Sequence, residues 1–110
     1  MRGKILLPAV LLAISLLYAC HPASNKAEIN LHELTISGIH RAYENGDYDC
    51  RQLAEAYLER IMELDHKINS LTTINPEAVK RAVELDREYR ETGILRPLHG
   101  IPLVVKDNIN

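Results

Sequence analysis

The sequence predicts an α/β fold, and three observations carry that reading. Three segments place apolar residues at helical spacing behind a capping side chain, and two of them close on a glycine. Between and after these segments lie short β-rich stretches, around Leu71 to Ile74 and at Leu103 to Val105. The second stretch is apolar at every position, which suits a strand buried in a sheet covered on both faces.

The elements follow in order along the chain. Thr35 can cap a first helix whose Ile36, Ile39 and Tyr43 form one stripe. Asn45 and Gly46 end it as a left-handed cap, while Gly38 weakens it from inside. A second helix has Asp49 as its cap and Gln52 three residues on, the pattern of a capping box. Leu53, Tyr57, Ile61 and Leu64 form its apolar face, and Glu55, Glu59, Arg60 and Glu63 its solvated side. "INSLTTIN", Ile68 to Asn75, is too short and too β-rich for a helix and predicts an extended crossing segment. A third helix then starts with Asn75 as cap, Pro76 in the first position and Glu77 against the dipole. Ala78, Ala82, Leu85 and Tyr89 line it, Gly93 closes it, and "KRAVELDREYRE" reads as a solvated charge run with pairing four residues apart. Pro97 holds Arg96 extended, His99 and Gly100 allow a tight turn, and the apolar run then delivers Lys106.

The other end of the chain has a different character. Residues 1–19 combine Arg2 and Lys4 with an apolar run from Ile5 to Ala19, the form of an export signal. As a helix that run would measure about 22 Å, short of the roughly 30 Å hydrocarbon core. "LYAC", Leu17 to Cys20, resembles the lipobox of bacterial lipoproteins, although Tyr18 departs from the usual small or aliphatic residue. That resemblance implies lipid attachment at Cys20, a polar tether over residues 20–33 and a membrane-anchored protein in the cell envelope. An ordinary signal peptide cut nearby, with Cys20 incidental, is the alternative. The remaining residues, 34–110, form the folded part.

Composition excludes several classes. Thirteen basic against fifteen acidic residues give a net charge of −2, with no Trp and no Phe. There is neither a basic patch nor a stacking platform for bases, so nucleic acid is not an expected partner. The five histidines show no paired-ligand spacing, and neither a metal nor a cofactor is expected. Cys50 reads as a small buried residue at a helix start and not as a reactive thiol.

Lys106 is the residue on which function turns. A lysine held at the end of a buried strand in apolar surroundings sheds its proton more easily and can act as a base. A lysine that snorkels to solvent is decoration. Spacing alone leaves both open.

The motif decides in favour of chemistry. "PLHGIPLVVKDNIN", with "AEAYLERIMELDHKINSLTTINPEAVKRAVELDREY" before it, resembles the N-terminal part of the amidase signature family over about Leu34 to Asn110. The resemblance implies an α/β/α fold with a central mixed sheet, of which these residues would be an N-terminal piece of three helices plus the first strands. It also implies hydrolysis or transfer of amide groups on small-molecule or peptide substrates by a serine nucleophile, a second serine in a cis peptide and a lysine, here Lys106. The glycine- and serine-rich segment that supplies both serines is not among these residues, since Ser15, Ser24, Ser37 and Ser70 lie in the signal, tether and helical regions. The expectation is therefore an exported amide hydrolase of which this piece keeps only the lysine and is inactive by itself. Two alternatives stand beside it. One is a small lipid-anchored helical binding module; the other is a tRNA-dependent amidotransferase subunit of the same family, which would have no use for an export signal.

Overall fold

The computed structural model describes residues 28–106 and 108. Among these residues, three α-helices make up the regular structure: α1 (Ile36–Asn45), α2 (Cys50–Ile68) and α3 (Ala78–Thr92). A turn at 97–100 follows, and an irregular segment runs from Ile101 to Lys106. Residues 1–19, expected to be an export signal, and Cys20 lie outside the described residues. Among the described residues, no helix is long and apolar enough to cross a membrane.

Local chemistry sets most of the helix ends where the sequence places them. Thr35 is extended, and its Oγ1 accepts from the backbone N–H of Gly38 at 3.0 Å. Gly46, at φ 74°, turns its N–H back onto the carbonyls of Ala42 and Tyr43. At α2 the capping box is complete: the Asp49 carboxylate accepts from Gln52 N–H at 2.7 Å, and Gln52 Oε1 accepts from Asp49 N–H at 2.9 Å. Asn69 ends α2 in the left-handed region, and the Asp65 carboxylate receives Ser70 N–H, Ser70 Oγ–H and Leu71 N–H. Gly93 closes α3 at φ 67°.

One helix start differs. Asn75 does not cap α3; its Oδ1 accepts from Glu77 N–H at 2.9 Å and closes a turn across Pro76, after which the helix begins at Ala78. An Asn side chain satisfies a backbone donor two residues on as readily in a turn as in a helix, so the letters alone do not separate the two.

The buried core is small: Ile39, Ala42 and Tyr43 from α1, Cys50 and Leu53 from α2, and Ala82 from α3. Leu53 is wholly inaccessible, because it lies where α2 packs on α3. Tyr57, Ile61 and Leu64, farther along the same stripe, are only half-buried. Ile36, at the open end of the α1 stripe, is 46 % exposed. Ile29 and Leu31, which fall within residues 20–33, pack against this core together with Leu34.

The fold class expected from the sequence is corrected by the helices. No strand occurs among the described residues, so the α/β reading, with its first strands and mixed sheet, is overturned in favour of a small helical unit. Leu103, Val104 and Val105 have no ladder partner among the described residues and are 68, 78 and 70 % exposed. A strand exists only when a neighbour satisfies its backbone, whereas β-rich composition shows only that a segment would suit a pleated surface.

The charge run of α3 is also partly corrected. Two of its ion pairs are three residues apart, Lys80 with Glu77 at 2.8 Å and Arg81 with Glu84 at 2.9 Å, and Glu88 pairs with Arg96 beyond the helix at 2.9 Å. Asp86, which falls within the expected solvated run, is buried. Its two carboxylate oxygens accept from the first N–H groups of α2, Cys50 at 2.8 Å and Arg51 at 3.0 Å. Orphan donors at the head of one helix are thus satisfied by a carboxylate from another, which fixes α2 against α3.

Candidate functional site

Lys106 ends the irregular segment and is exposed. The apolar enclosure from which the sequence argued its chemistry is not formed around it, because Val104 and Val105 face solvent. Lys106 does line an open groove of about 1050 Å³, whose walls include Tyr57 and Ile61 of α2, Ala82 and Leu85 of α3, and Pro102 with Leu103.

What the structure builds in detail is the turn leading into that segment. His99 is 2 % exposed. Its Nε2–H donates to the carbonyl of Leu85 in α3 at 3.0 Å, which leaves Nδ1 buried without a hydrogen-bond partner among the described residues. The backbone carbonyl of His99 accepts from Nε2–H of His40 at 3.1 Å, and that of Gly100 accepts from the Tyr43 hydroxyl at 2.7 Å. His40 and Tyr43 are one turn apart on α1, so two neighbouring carbonyls of the turn are held by one helix face. The turn closes on itself through His99 N–H to Arg96 and Ile101 N–H to Leu98.

Gly100 is required for two reasons. It adopts φ 66°, and a Cβ there would run into Cys50 Sγ and the Tyr43 ring. The turn therefore rests directly on the first residue of α2.

Electrostatics in this contact keep protons in place. Burial, then the hydrogen bond and charge of Asp86, push the Cys50 thiol up to about 12. Burial, followed by proximity to Cys50, raises the Tyr43 phenol well above its ordinary value. Cys50 is thus the inert small helix-start residue that its sequence setting predicts. Tyr48 stacks edge-on to Tyr43 with ring centroids 5.7 Å apart, which stiffens the same corner.

Lys106 is placed on the groove, while Cys20, Ser15 and Ser24 lie outside the described residues. Ser37 and Ser70 are engaged in helix ends, Ser37 with Thr35 at 3.2 Å and Ser70 with Asp65 at 2.7 Å. No group of three metal-ligating side chains occurs among the described residues. The cluster of Tyr43, Cys50, Asp86 and His99 is not visible to sequence reasoning as a cluster. One signal for Asp86 exists: it stands four residues after Ala82 and three before Tyr89, on the apolar face of α3.

Comparison with known proteins identifies the group to which this segment belongs. A family model described as Amidase matches residues 52–110. The "Putative amidase" of Schizosaccharomyces pombe is 38 % identical over 88 residues, 79 % of this chain and 15 % of that protein. A glutamyl-tRNA(Gln) amidotransferase subunit of Natranaerobius thermophilus is 35 % identical over 82 residues, 74 % of this chain and 17 % of its own length. The corresponding amidotransferase subunit from Salinibacter ruber is 41 % identical over 76 residues, covering 68 % and 15 % respectively. No solved structure matches significantly. These are proteins of carbon–nitrogen bond chemistry by their names, and this chain belongs to the amidase family. It spans about one sixth of the length of the curated relatives it matches.

Proposed function

We propose that this chain is part of an exported amide hydrolase in which Lys106 is the base of a serine, cis-serine and lysine triad. Family membership supports amide hydrolysis at the level of the family. The single observation that carries the residue assignment is the motif Pro97 to Asn108, in which Lys106 stands where the family has its lysine. In the reaction, Lys106 takes a proton relayed through the second serine as the first serine's oxygen bonds to the amide carbon. The carbon–nitrogen bond then breaks, the amine leaves with a proton, and water releases the acyl group from serine. By resemblance both serines come from a glycine- and serine-rich segment that is not among these 110 residues, so these residues by themselves should turn over no amide. The desolvation that a lysine base needs would have to come from groups packed over Lys106, since the described residues leave it in water.

The test is substitution of Lys106 in the intact gene product. Lys106→Ala should cut turnover of a small amide by about 10²-fold or more, the contribution of a positioned general base. Lys106→Arg should be nearly as damaging, because a guanidinium stays protonated at working pH. Near-normal turnover by Lys106→Arg would reduce Lys106 to a structural cation. Lys80, on the solvated side of α3, serves as the control for both changes.

The export and anchoring part of the proposal rests on the apolar run before Cys20 and on "LYAC". Labelled palmitate should enter the protein and be lost with Cys20→Ala, and equal labelling of both forms would discard lipid attachment at Cys20. A second reading has its own support, since several relatives are named as subunits of glutamyl-tRNA(Gln) amidotransferase. A protein of that kind would act inside the cell within a larger assembly, and recovery of this one in the soluble cytosolic fraction would favour it.

A further inference from the structure

The turn over 97–100 receives contacts from all three helices. His40 and Tyr43 of α1 hold the carbonyls of His99 and Gly100, Leu85 of α3 receives the His99 ring, and Cys50 of α2 fills the space beneath Gly100. Closing a core needs only the buried ring. Holding two successive carbonyls does something further: it fixes the peptide planes on both sides of His99 and Gly100, and with them the direction in which the chain leaves.

That direction persists toward Lys106. Pro102 has a fixed φ, and Ile101 before it is confined to extended geometry. Gly100, Ile101 and Pro102 therefore form a stiff lever whose base is clamped by the Tyr43 hydroxyl. The lever thus sets where the segment starts, while Pro102 ψ and the exposed Leu103, Val104 and Val105 leave its further course free among the described residues.

We propose that Tyr43 is a positioning residue for Lys106, acting through its hydroxyl bond to the Gly100 carbonyl; this rests on the reading of Lys106 as the catalytic base. The role is directional and separable from packing. Tyr43→Phe keeps the ring in the core and removes only the hydroxyl, so the lever loses one of its two carbonyl clamps while the buried apolar surface is unchanged.

The experiment uses the intact gene product and two readouts. On a small amide, Tyr43→Phe should lower kcat by about tenfold or more with KM within about twofold of the parent, as expected when a reacting group is displaced by a fraction of an ångström to an ångström. The acid limb of the kcat pH profile should stay where it is, because the base is moved and not retuned. Thr92→Val, which removes the hydroxyl's bonds to the Glu88 carbonyl and the Ile94 N–H without touching either carbonyl clamp, should leave kcat unchanged. The second readout needs no activity: spin labels at residue 106 and at exposed Arg87, in a background without Cys20, should give a distance distribution that broadens in Tyr43→Phe and not in Thr92→Val. If Lys106→Ala abolishes turnover while Tyr43→Phe keeps both kcat and a narrow distribution, the positioning role is overturned and the base assignment stands. If Lys106→Ala and Lys106→Arg remain active, the base assignment fails, and the distance distribution alone then decides whether Tyr43 orients the segment.

Discussion

Gly100 and Cys50 define the corner at which residue-scale chemistry is most demanding. A methyl group at Gly100 meets the thiol and the Tyr43 ring, and φ 66° is strained for any L side chain. In the intact gene product Gly100→Ala should therefore destabilise by about 2 kcal/mol or more, seen as a lowered denaturant midpoint at unchanged slope. The titration of Cys50 leads to a separate expectation. Its folded value, raised from 9.0 to about 12, means that the folded form holds its proton more tightly than the unfolded chain. That contribution to stability is complete below about pH 9 and is lost as pH rises from there toward 12. Raised Tyr43 acts in the same direction. Unfolding free energy should fall across that window, and Cys50→Ala should flatten part of the fall. Iodoacetamide at pH 8 should leave the native thiol unmodified and alkylate it only in denaturant; rapid native alkylation would show that the corner is open.

At the scale of elements, the decisive contact is the carboxylate of α3 against the head of α2. Asp86 replaces water for two orphan N–H groups, and it does so from a buried position. Asp86→Ala should cost about 2 kcal/mol or more, because two buried donors lose their acceptor together. Asp86→Asn keeps one acceptor oxygen and should recover part of that loss. Asp49→Ala removes the local capping box at the same helix end and should cost about 1 kcal/mol. The two effects should be non-additive in a double-mutant cycle, since both side chains serve one turn of α2. At the other end of α2, Asp65 is held below the ordinary carboxylate value by hydrogen bonds from Ser70, first its hydroxyl and then its backbone. Its contribution is present above pH 3.8 and is lost as pH falls below that, so the 69–71 turn should loosen only in acid, as hydrogen exchange at Ser70 and Leu71 would report.

For the whole molecule, the balance of buried and exposed apolar surface is the governing fact. Among the described residues, six hydrophobic side chains make up the buried core, whereas Met62, Ile68, Ile94, Leu98 and Leu103 to Val105 are each more than half exposed. So small a core cannot offset the chain entropy of a cooperative fold by a wide margin, and the groove beside Lys106 adds uncovered apolar wall. Residues 28–106 expressed by themselves should bind a hydrophobic dye and melt over a broad range. A sharp two-state transition of that segment as a monomer would contradict this reading and show that the three helices suffice.

The helices, their caps and the family are legible along the chain. Thr35, Gly46, Asp49 with Gln52, and Gly93 act within a few residues of their own backbone partners, so their effect is written in local order. The amidase family is likewise legible in the string of residues around Lys106, and a family model matching residues 52–110 bears out the family. Other features come into being only when the helices pack. Whether Leu103 to Val105 forms a strand depends on a neighbour that no spacing within the segment encodes, and among the described residues there is none. Asp86 stands in a charge run and His99 in a turn, yet both are buried because the N–H groups and carbonyls that satisfy them are brought by helices distant in sequence. Caps and periods depend on short-range partners and can be read residue by residue; burial of a charged or polar group depends on long-range partners that meet it only in the folded chain.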